Sequence, residues 1–401
     1  MSLLPVEEAL ARLLAGVEPV EAEEVSLFDA SGRVLAQDVA ATRDQPPFPA
    51  SAMDGYAVRS ADAAEPGARL KLIGQSRAGA RYVGTLEPGT AVRIFTGAPV
   101  PDGADAILIQ EDAAAEGDTI VVREAVRPGQ FVRPAGLDYR AGEVLLRAGR
   151  RLDPRALALA ASMNRHRLTV RRRPHVALLA TGDELVPPGA EPGADQIVSS
   201  NAVGVGALVA EAGGDAIDLG IARDRVDHLV AAVDKARGAD VLVVIGGASV
   251  GEHDLVQEAL SACGMELDFW RIAMRPGKPL MVGRLGAMRV LGLPGNPVSA
   301  IVCGLVFLKP LVMALVGQPP ETAPEAARLG AAMAANDRRQ DYVRARLALR
   351  DGGLTAIPFD RQDSSMLATL ATADALIVRP PHAPPAPEGA EVPILRLDSC
   401  A

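Results

Sequence analysis

Residues 241–254 read VLVVIGGASVGEHD: five apolar residues in a row that run directly into a glycine-rich loop. A short apolar run without polar alternation, rich in β-branched valine, predicts a strand covered on both faces, as parallel sheets require. The pattern recurs on either side. Residues 176–180 lead into Thr181-Gly182-Asp183-Glu184-Leu185, and residues 289–293 lead into Pro294-Gly295-Asn296-Pro297. Apolar residues at helical spacing fill the intervals, over residues 202–212, 226–236 and 255–262, and again from Val298. Strand, loop and helix in repetition predict a doubly wound, mostly parallel α/β domain over residues 174–322. Ligands of such sheets bind beyond the carboxyl ends of the strands, where these loops lie.

Working outward, apolar stretches at residues 343–349, 354–357, 375–378 and 392–397 predict a small C-terminal β-barrel over residues 323–401. Toward the N-terminus, Val6, Ala9, Leu10, Leu13 and Leu14 have helical spacing, and a second short helix is expected over residues 27–35. Asp153 as N-cap and Pro154 at the first helical position open a third helix. Between these helices, QPPFPASAMDGY at residues 45–56 is too rich in turn formers to be helix. Short apolar runs at residues 70–73, 91–95, 106–109 and 119–123, separated by Gly and Pro, predict a small all-β module. The expectation is a multidomain α/β plus β chain. It has a helical domain (residues 1–45 and 140–173) with an inserted β-rich domain (46–139), then the α/β domain and the barrel. Arg171-Arg172-Arg173-Pro174 marks a boundary and reads as a solvated linker.

Composition narrows the function. At 401 residues, 49% hydrophobic and 23% charged, the chain is globular and too long for one core. Only 3% of residues are aromatic and the net charge is −9, which argues against nucleic acid and anionic membranes as partners. Three cysteines (Cys263, Cys303, Cys400) and five histidines are scattered, so neither a disulfide framework nor a zinc site is indicated. The apolar stretch at residues 298–308 reads as a buried helix broken by Lys309-Pro310, too short to span a membrane. The first residues lack the basic start of a signal peptide, and a cytoplasmic location is expected.

The strand-end loops carry the chemistry. Thr181 offers a hydroxyl, Gly246 and Gly247 let backbone N–H groups approach an anion, and Ser249 adds a donor. Asn296 reads as an N-cap with Pro297 at the first helical position, which exposes a helix start to anions. Arg271, Arg275 and Lys278 form a cationic loop stiffened by Pro276 and Pro279. Glu184, Asp224 and Asp254 fall at neighbouring strand ends, with Asp224 also suited to capping the next helix. Carboxylates beside phosphate-binding turns point to a phosphate-bearing ligand with a divalent cation. Two other motifs fail. Gly247-Ala-Ser249-Val-Gly251 matches G-x-S-x-G, but the loop is too long for a strand-to-helix elbow and no suitable histidine follows. The cationic loop lacks the G-x-x-x-x-G-K-[ST] spacing of a P-loop.

Taken together, SAMDGYAV (51–58), TGAPVPDGADAI (96–107), TGDEL (181–185), GGASVGEHD (246–254), PGKP (276–279) and LPGNPVS (293–299) resemble one family. It is the molybdopterin molybdenumtransferases, which include the C-terminal domain of gephyrin and its plant counterpart, and the likeness covers nearly the whole chain. The resemblance implies an elongated homodimer of four-domain subunits. It implies conversion of adenylylated molybdopterin and molybdate to molybdenum cofactor and AMP, with Mg2+ as cofactor and molybdate as substrate. It further implies cofactor-biosynthesis proteins and recipient molybdoenzymes as partners.

Carried over residue by residue, the resemblance gives catalytic positions to Asp54, Thr96, Asp138, Glu184, Arg271 and Arg275. Pterin-nucleotide contacts fall to Thr181, Gly246, Gly247, Ser249, Lys278, Pro294, Gly295 and Asn296, and the metal to Glu184, Asp224 and Asp254. Molybdate would meet Arg275, Pro276, Ser299, Arg344 and Ser364. Arg271 and Arg275 stand where relatives often have Lys, which keeps the charge and changes the hydrogen-bond geometry. Molybdate and tungstate are too alike in size and charge for the sequence to separate. A non-catalytic binding or scaffold protein on the same fold is the alternative expectation.

Overall fold

The structure is a computed structural model that describes residues 3–247, 255–320, 324–350 and 352–397. The chain forms two compact units. One holds residues 1–23, 32–34 and 171–401, the other residues 24–31 and 35–170.

The larger unit contains a six-stranded sheet in the order Asp215–Ala222, His175–Thr181, Val241–Ile245, Met288–Leu293, Pro279–Leu285, Glu266–Arg271. The first four strands are parallel, and Pro279–Leu285 runs antiparallel to both its neighbours. Every residue of Val241–Ile245 is buried, because the sheet is covered on both faces. Val241, Val243 and Ile245 enter a core with the helices Val6–Leu14, Asn201–Ala212 and Pro297–Cys303. Leu242 and Val244 point the other way, into a core with Val226–Lys235 and Leu255–Ala262. The period of two along the strand serves two helical layers at once.

Three sequence expectations change here. Residues 27–32 form turns, not a helix, and Leu35 bridges Val170: Ser26 Oγ accepts from the Asp29 N–H at 3.3 Å, and Gly32 adopts φ +71°. A local hydroxyl–backbone turn of this kind competes with helix. The helix Val6–Leu14, expected beside the helical segments, buries Val6, Ala9 and Leu13 in the core of the α/β sheet. Lys309-Pro310 does not end the apolar helix, which continues to Leu315. The Lys309 N–H reaches back five residues to the Gly304 carbonyl, and this widened turn accommodates the proline ring that follows. The resulting 19-residue helix is long and apolar enough to cross a membrane, yet 72% of its apolar window is buried in the protein.

Arg172 is not part of a solvated linker. Its guanidinium grips the Asp240 carboxylate with two bonds of 2.7 Å, and its Nε donates to Glu21 at 2.6 Å. Burial pushes the Asp240 carboxyl up, but Arg172 and the His175 N–H together hold it below the usual carboxylate range. A depressed folded-state pKa contributes stability above the unfolded value of about 3.9, which is lost as pH falls through the folded value. Asp240→Ala should therefore cost about 2–3 kcal/mol at neutral pH, less than a fully buried pair because both groups keep some solvent. Denaturant melts at pH 7 and pH 3 should show the difference shrinking in acid.

The C-terminal segment closes into a five-stranded barrel. Gln340–Arg350 pairs with both Gly353–Pro358 and Ala375–Arg379, and Glu325–Leu329 and Glu391–Arg396 complete the ring. Met274–Arg275, from the cationic loop, adds to Gln340–Arg350 as a short parallel strand.

The smaller unit has its own six-stranded sheet, in the order Ala106–Ile109, Gly55–Val58, Thr90–Ile94, Arg69–Ser76, Thr119–Val122, Ala113–Glu116. Its two faces carry separate apolar clusters. The helix Pro154–Ser162 begins as expected, with the Asp153 carboxylate accepting from the Ala156 N–H at 2.7 Å.

Candidate functional site

A cavity of about 540 Å3 opens at the carboxyl ends of His175–Thr181, Val241–Ile245 and Met288–Leu293. Its position follows from topology. The chain leaves His175–Thr181 for one side of the sheet and returns on the other at Val241–Ile245, so the two following loops diverge and leave a crevice. Thr181, Glu184, Asp224, Gly246, Gly247, Pro294, Gly295, Asn296 and Ser299 all line it. The structure thus brings together most of the α/β residues that sequence reasoning chose. Ser249 and Asp254 lie outside the described residues.

Thr181 is 3% exposed, and its hydroxyl oxygen has no hydrogen-bond partner among the described residues. An orphaned buried hydroxyl is costly unless a ligand supplies its partner. Two glycines pack closely around Thr181. Gly246 has φ +97°, and a Cβ there would sit 2.6 Å from the Thr181 carbonyl oxygen. Gly247 has φ +64°, and its Cβ would lie 2.8 Å from the Thr181 hydroxyl and 2.3 Å from Val256 Cγ2. Gly246→Ala should weaken binding of a phosphate-bearing ligand in this cavity by about tenfold or more, through strain and backbone clash together. Fluorescence titration against the wild type checks this.

The acidic side of the cavity has Glu184 and Asp224. Partial desolvation pushes the Asp224 carboxyl up, and the charges of Asp183 and Glu184 push it further. Asp224 does not cap the next helix: Arg225 occupies the N-cap of Val226–Lys235 and makes no side-chain capping bond. No group of three potential metal-ligating side chains is found among the described residues. Carboxylates that repel one another beside a glycine-rich turn nonetheless fit a hard divalent cation, which needs only one or two protein carboxylates when phosphate supplies the rest.

Asn296 precedes the helix Pro297–Cys303 but does not cap it with its side chain. Its amide donates instead to Ser364 Oγ at 3.1 Å, and the Val298 N–H donates to the Ser364 carbonyl at 3.1 Å. The helix start, expected to be open to anions, is partly capped by the barrel. Ser299, 4% exposed, still lines the cavity. Sequence reasoning missed Asn201, whose amide donates to the Gly295 carbonyl at 2.7 Å and fixes the Pro-Gly-Asn-Pro turn. The Ser199-Ser200-Asn201 run ahead of a helix was the available signal.

A second cavity, of about 420 Å3, lies between Met274–Arg275 and the barrel and is lined by Arg275, Pro276 and Arg344. Arg275 is not a free cation. Asp341 accepts from its Nε at 2.8 Å and also from Nη2, and Asp337 lies 3.8 Å away. Arg344 is 1% exposed and, among the described residues, bonds only neutral acceptors, Gln362 and the Met366 carbonyl. Arg379, also missed, lines the same cavity, held by the carbonyls of Ala334 and Pro384.

The expected oxyanion residues are therefore divided. Arg275, Pro276 and Arg344 share one cavity, Ser299 lines the other, and Ser364 bonds the turn beside it. Arg271 and Lys278 line neither: Lys278 is exposed, and the Arg271 guanidinium lies 5.3 Å over the Trp270 ring.

Asp54, Thr96 and Asp138 belong to the smaller unit. Asp54 Oδ1 accepts from both the N–H and the hydroxyl of Thr96, at 2.7 and 2.8 Å, which holds its carboxyl below the usual range. Asp138 is exposed on another loop, where its N–H donates to the Gln45 carbonyl at 2.9 Å.

Comparison with known proteins matches the chain in three consecutive stretches. Residues 4–164 match a family described as the MoeA N-terminal region (domain I and II). Residues 177–314 match a probable molybdopterin binding domain, and residues 326–397 the MoeA C-terminal region (domain IV). A molybdopterin molybdenumtransferase of Nostoc sp. is 35% identical over 391 residues, covering 94% of this chain and 89% of that protein. One from Bacillus subtilis is 35% identical, covering 94% and 90%. The crystal structure of a molybdopterin biosynthesis MoeA protein from Pyrococcus horikosii, 31% identical, superposes over 100% of both chains with a TM-score of 0.86.

Proposed function

Since this chain belongs to the molybdopterin molybdenumtransferase family and is a transferase of molybdenum-cofactor biosynthesis, we propose that it inserts molybdate into adenylylated molybdopterin and releases AMP. One observation carries the reading. A switch-point cavity with an orphaned hydroxyl and paired carboxylates is tied, through Asn296 and Ser364, to the barrel whose neighbouring cavity holds a buried arginine without a carboxylate.

The pterin nucleotide is polyanionic and suits the first cavity. Gly246 and Gly247 admit its phosphates to the backbone, where a Cβ would crowd Thr181. Glu184 and Asp224, joined by Asp254, would hold Mg2+, which supplies charge neutralisation at the phosphoanhydride. Molybdate, a tetrahedral dianion, suits the second cavity, where Arg344 offers a forked pair of donors. Holding both substrates in register makes charge neutralisation and positioning the main contribution, with no protein nucleophile required. Purified protein incubated with adenylylated molybdopterin should release AMP only when both molybdate and Mg2+ are present. Release without either would contradict the reading.

The active form we propose is a homodimer whose sites draw Asp54 and Thr96 from the partner chain. Mixing Asp54→Ala with Glu184→Ala protein should then restore part of the activity, because one of the two sites in a hybrid is intact. Hybrid dimers without recovery would remove Asp54 from the partner's site. We place the reaction in the cytoplasm, as the resemblance to bacterial cofactor-biosynthesis enzymes suggests.

A further inference from the structure

Arg275 and Arg344 line one cavity but are held in opposite ways. Arg275 lies against the carboxylates of Asp341 and Asp337. Arg344 makes no ion pair among the described residues, and Gln362 grips it instead. Gln362 Oε1 accepts from Arg344 Nε at 3.1 Å and from its backbone N–H at 3.0 Å. Gln362 Nε2 donates to the carbonyls of Arg344 at 3.0 Å and Phe359 at 2.9 Å. Two N–H donors on one side and two carbonyls on the other leave a single sensible orientation for this amide.

The remaining grip on Arg344 is neutral too. Its Nη1 donates to the Met366 carbonyl at 3.2 Å, while Nη2 has no hydrogen bond among the described residues. Asp363 is close enough for its charge to act on Arg344, but its Oδ1 accepts from the N–H and hydroxyl of Ser365 at 2.8 and 2.6 Å. A buried guanidinium that lacks a counter-charge is costly, and it is satisfied when an anion arrives. A carboxylate at position 362 could hold Nε equally well but would cancel the charge in advance.

We propose that Gln362 is a positioning residue: its neutral amide fixes Arg344 along Nε, leaves the charge uncompensated, and reserves Nη2 for a tetrahedral oxyanion in the cavity. The inference rests on the oxyanion reading of this cavity given above. It separates two tasks that a carboxylate would merge, orientation of the guanidinium and neutralisation of it.

The test is calorimetric titration of molybdate alone into the full chain, as wild type, Gln362→Glu and Gln362→Met, with thermal melts of each. Gln362→Glu should weaken molybdate binding by about tenfold or more, because Arg344 gains an internal counter-charge. Gln362→Met keeps the length but loses the acceptor, and should weaken binding by about three- to tenfold. In turnover, the molybdate KM should rise in both variants while kcat at saturating molybdate and the pterin-nucleotide KM stay within about twofold. If Gln362→Glu melts early, the Met variant decides. Wild-type affinity in a folded variant of either kind would overturn the proposal, and unfolding of both would mark Gln362 as a structural fastening only. Wild type that fails to bind molybdate would sink the oxyanion reading itself, whereas wild-type binding with unaffected variants would sink Gln362 alone.

Discussion

Arg344→Ala should raise the molybdate concentration needed for half-maximal AMP release by about a hundredfold, with pterin-nucleotide affinity changed less than about twofold. The size follows from what the side chain does. It is the fully buried cation of the second cavity, and the net charge of −9 repels a dianion unless cations converge locally. Truncation removes the charge, the forked donors and the bond to the Met366 carbonyl together. Arg275 cannot substitute, because Asp341 and Asp337 already face it. Paired titrations of molybdate and nucleotide check the split. Equal loss of both affinities would place Arg344 in the nucleotide site or in the fold.

Glu184→Ala and Asp224→Ala should each stay folded and lose Mg2+-dependent AMP release by about 10²–10³-fold. Both side chains are exposed, so truncation leaves no buried group unpaired. Removing either carboxylate also relieves the repulsion recorded at Asp224, so the melting temperature should hold or rise slightly. Stability and activity would thus move independently, which is the mark of a site and not of a scaffold. Turnover at graded Mg2+ and thermal melts of the same preparations measure both. Normal turnover with unchanged metal dependence would remove these residues from the metal site.

How much was legible in the sequence depends on the kind of contact. Val241–Ile245 has the bounds read from pattern alone, because it is one apolar run with clean breaks. Glu266–Arg271 was not visible as a strand: it is an edge strand in which only Phe269 is buried, so nothing alternates. Met274–Arg275 becomes a strand only because the barrel offers Gln340 and Asp341 as partners.

The site shows the same division. Thr181, Gly246 and Gly295 stand at strand ends, where topology alone predicts a crevice. Asn201 escaped because its partner is a backbone carbonyl 94 residues away. Gln362 escaped because a hairpin of the barrel carries it back beside Arg344, and Arg379 because barrel closure sets it opposite Asp341. The neutralisation of Arg275 by Asp341 was hidden because it depends on Met274–Arg275 pairing with a barrel strand 66 residues away. Asp54 and Thr96 came from resemblance, and their direct hydrogen bonds give that pairing a physical basis.

The measurement that bears most directly on the central claim counts two products of one reaction. Protein loaded with adenylylated molybdopterin is given molybdate and Mg2+, AMP is quantified, and the molybdenum carried by the pterin is determined by mass spectrometry. A transferase of the kind proposed here releases one AMP for each molybdenum acquired, and releases almost none when molybdate is withheld. AMP release at the same rate without molybdate, leaving the pterin free of metal, would make the protein a hydrolase and contradict the account.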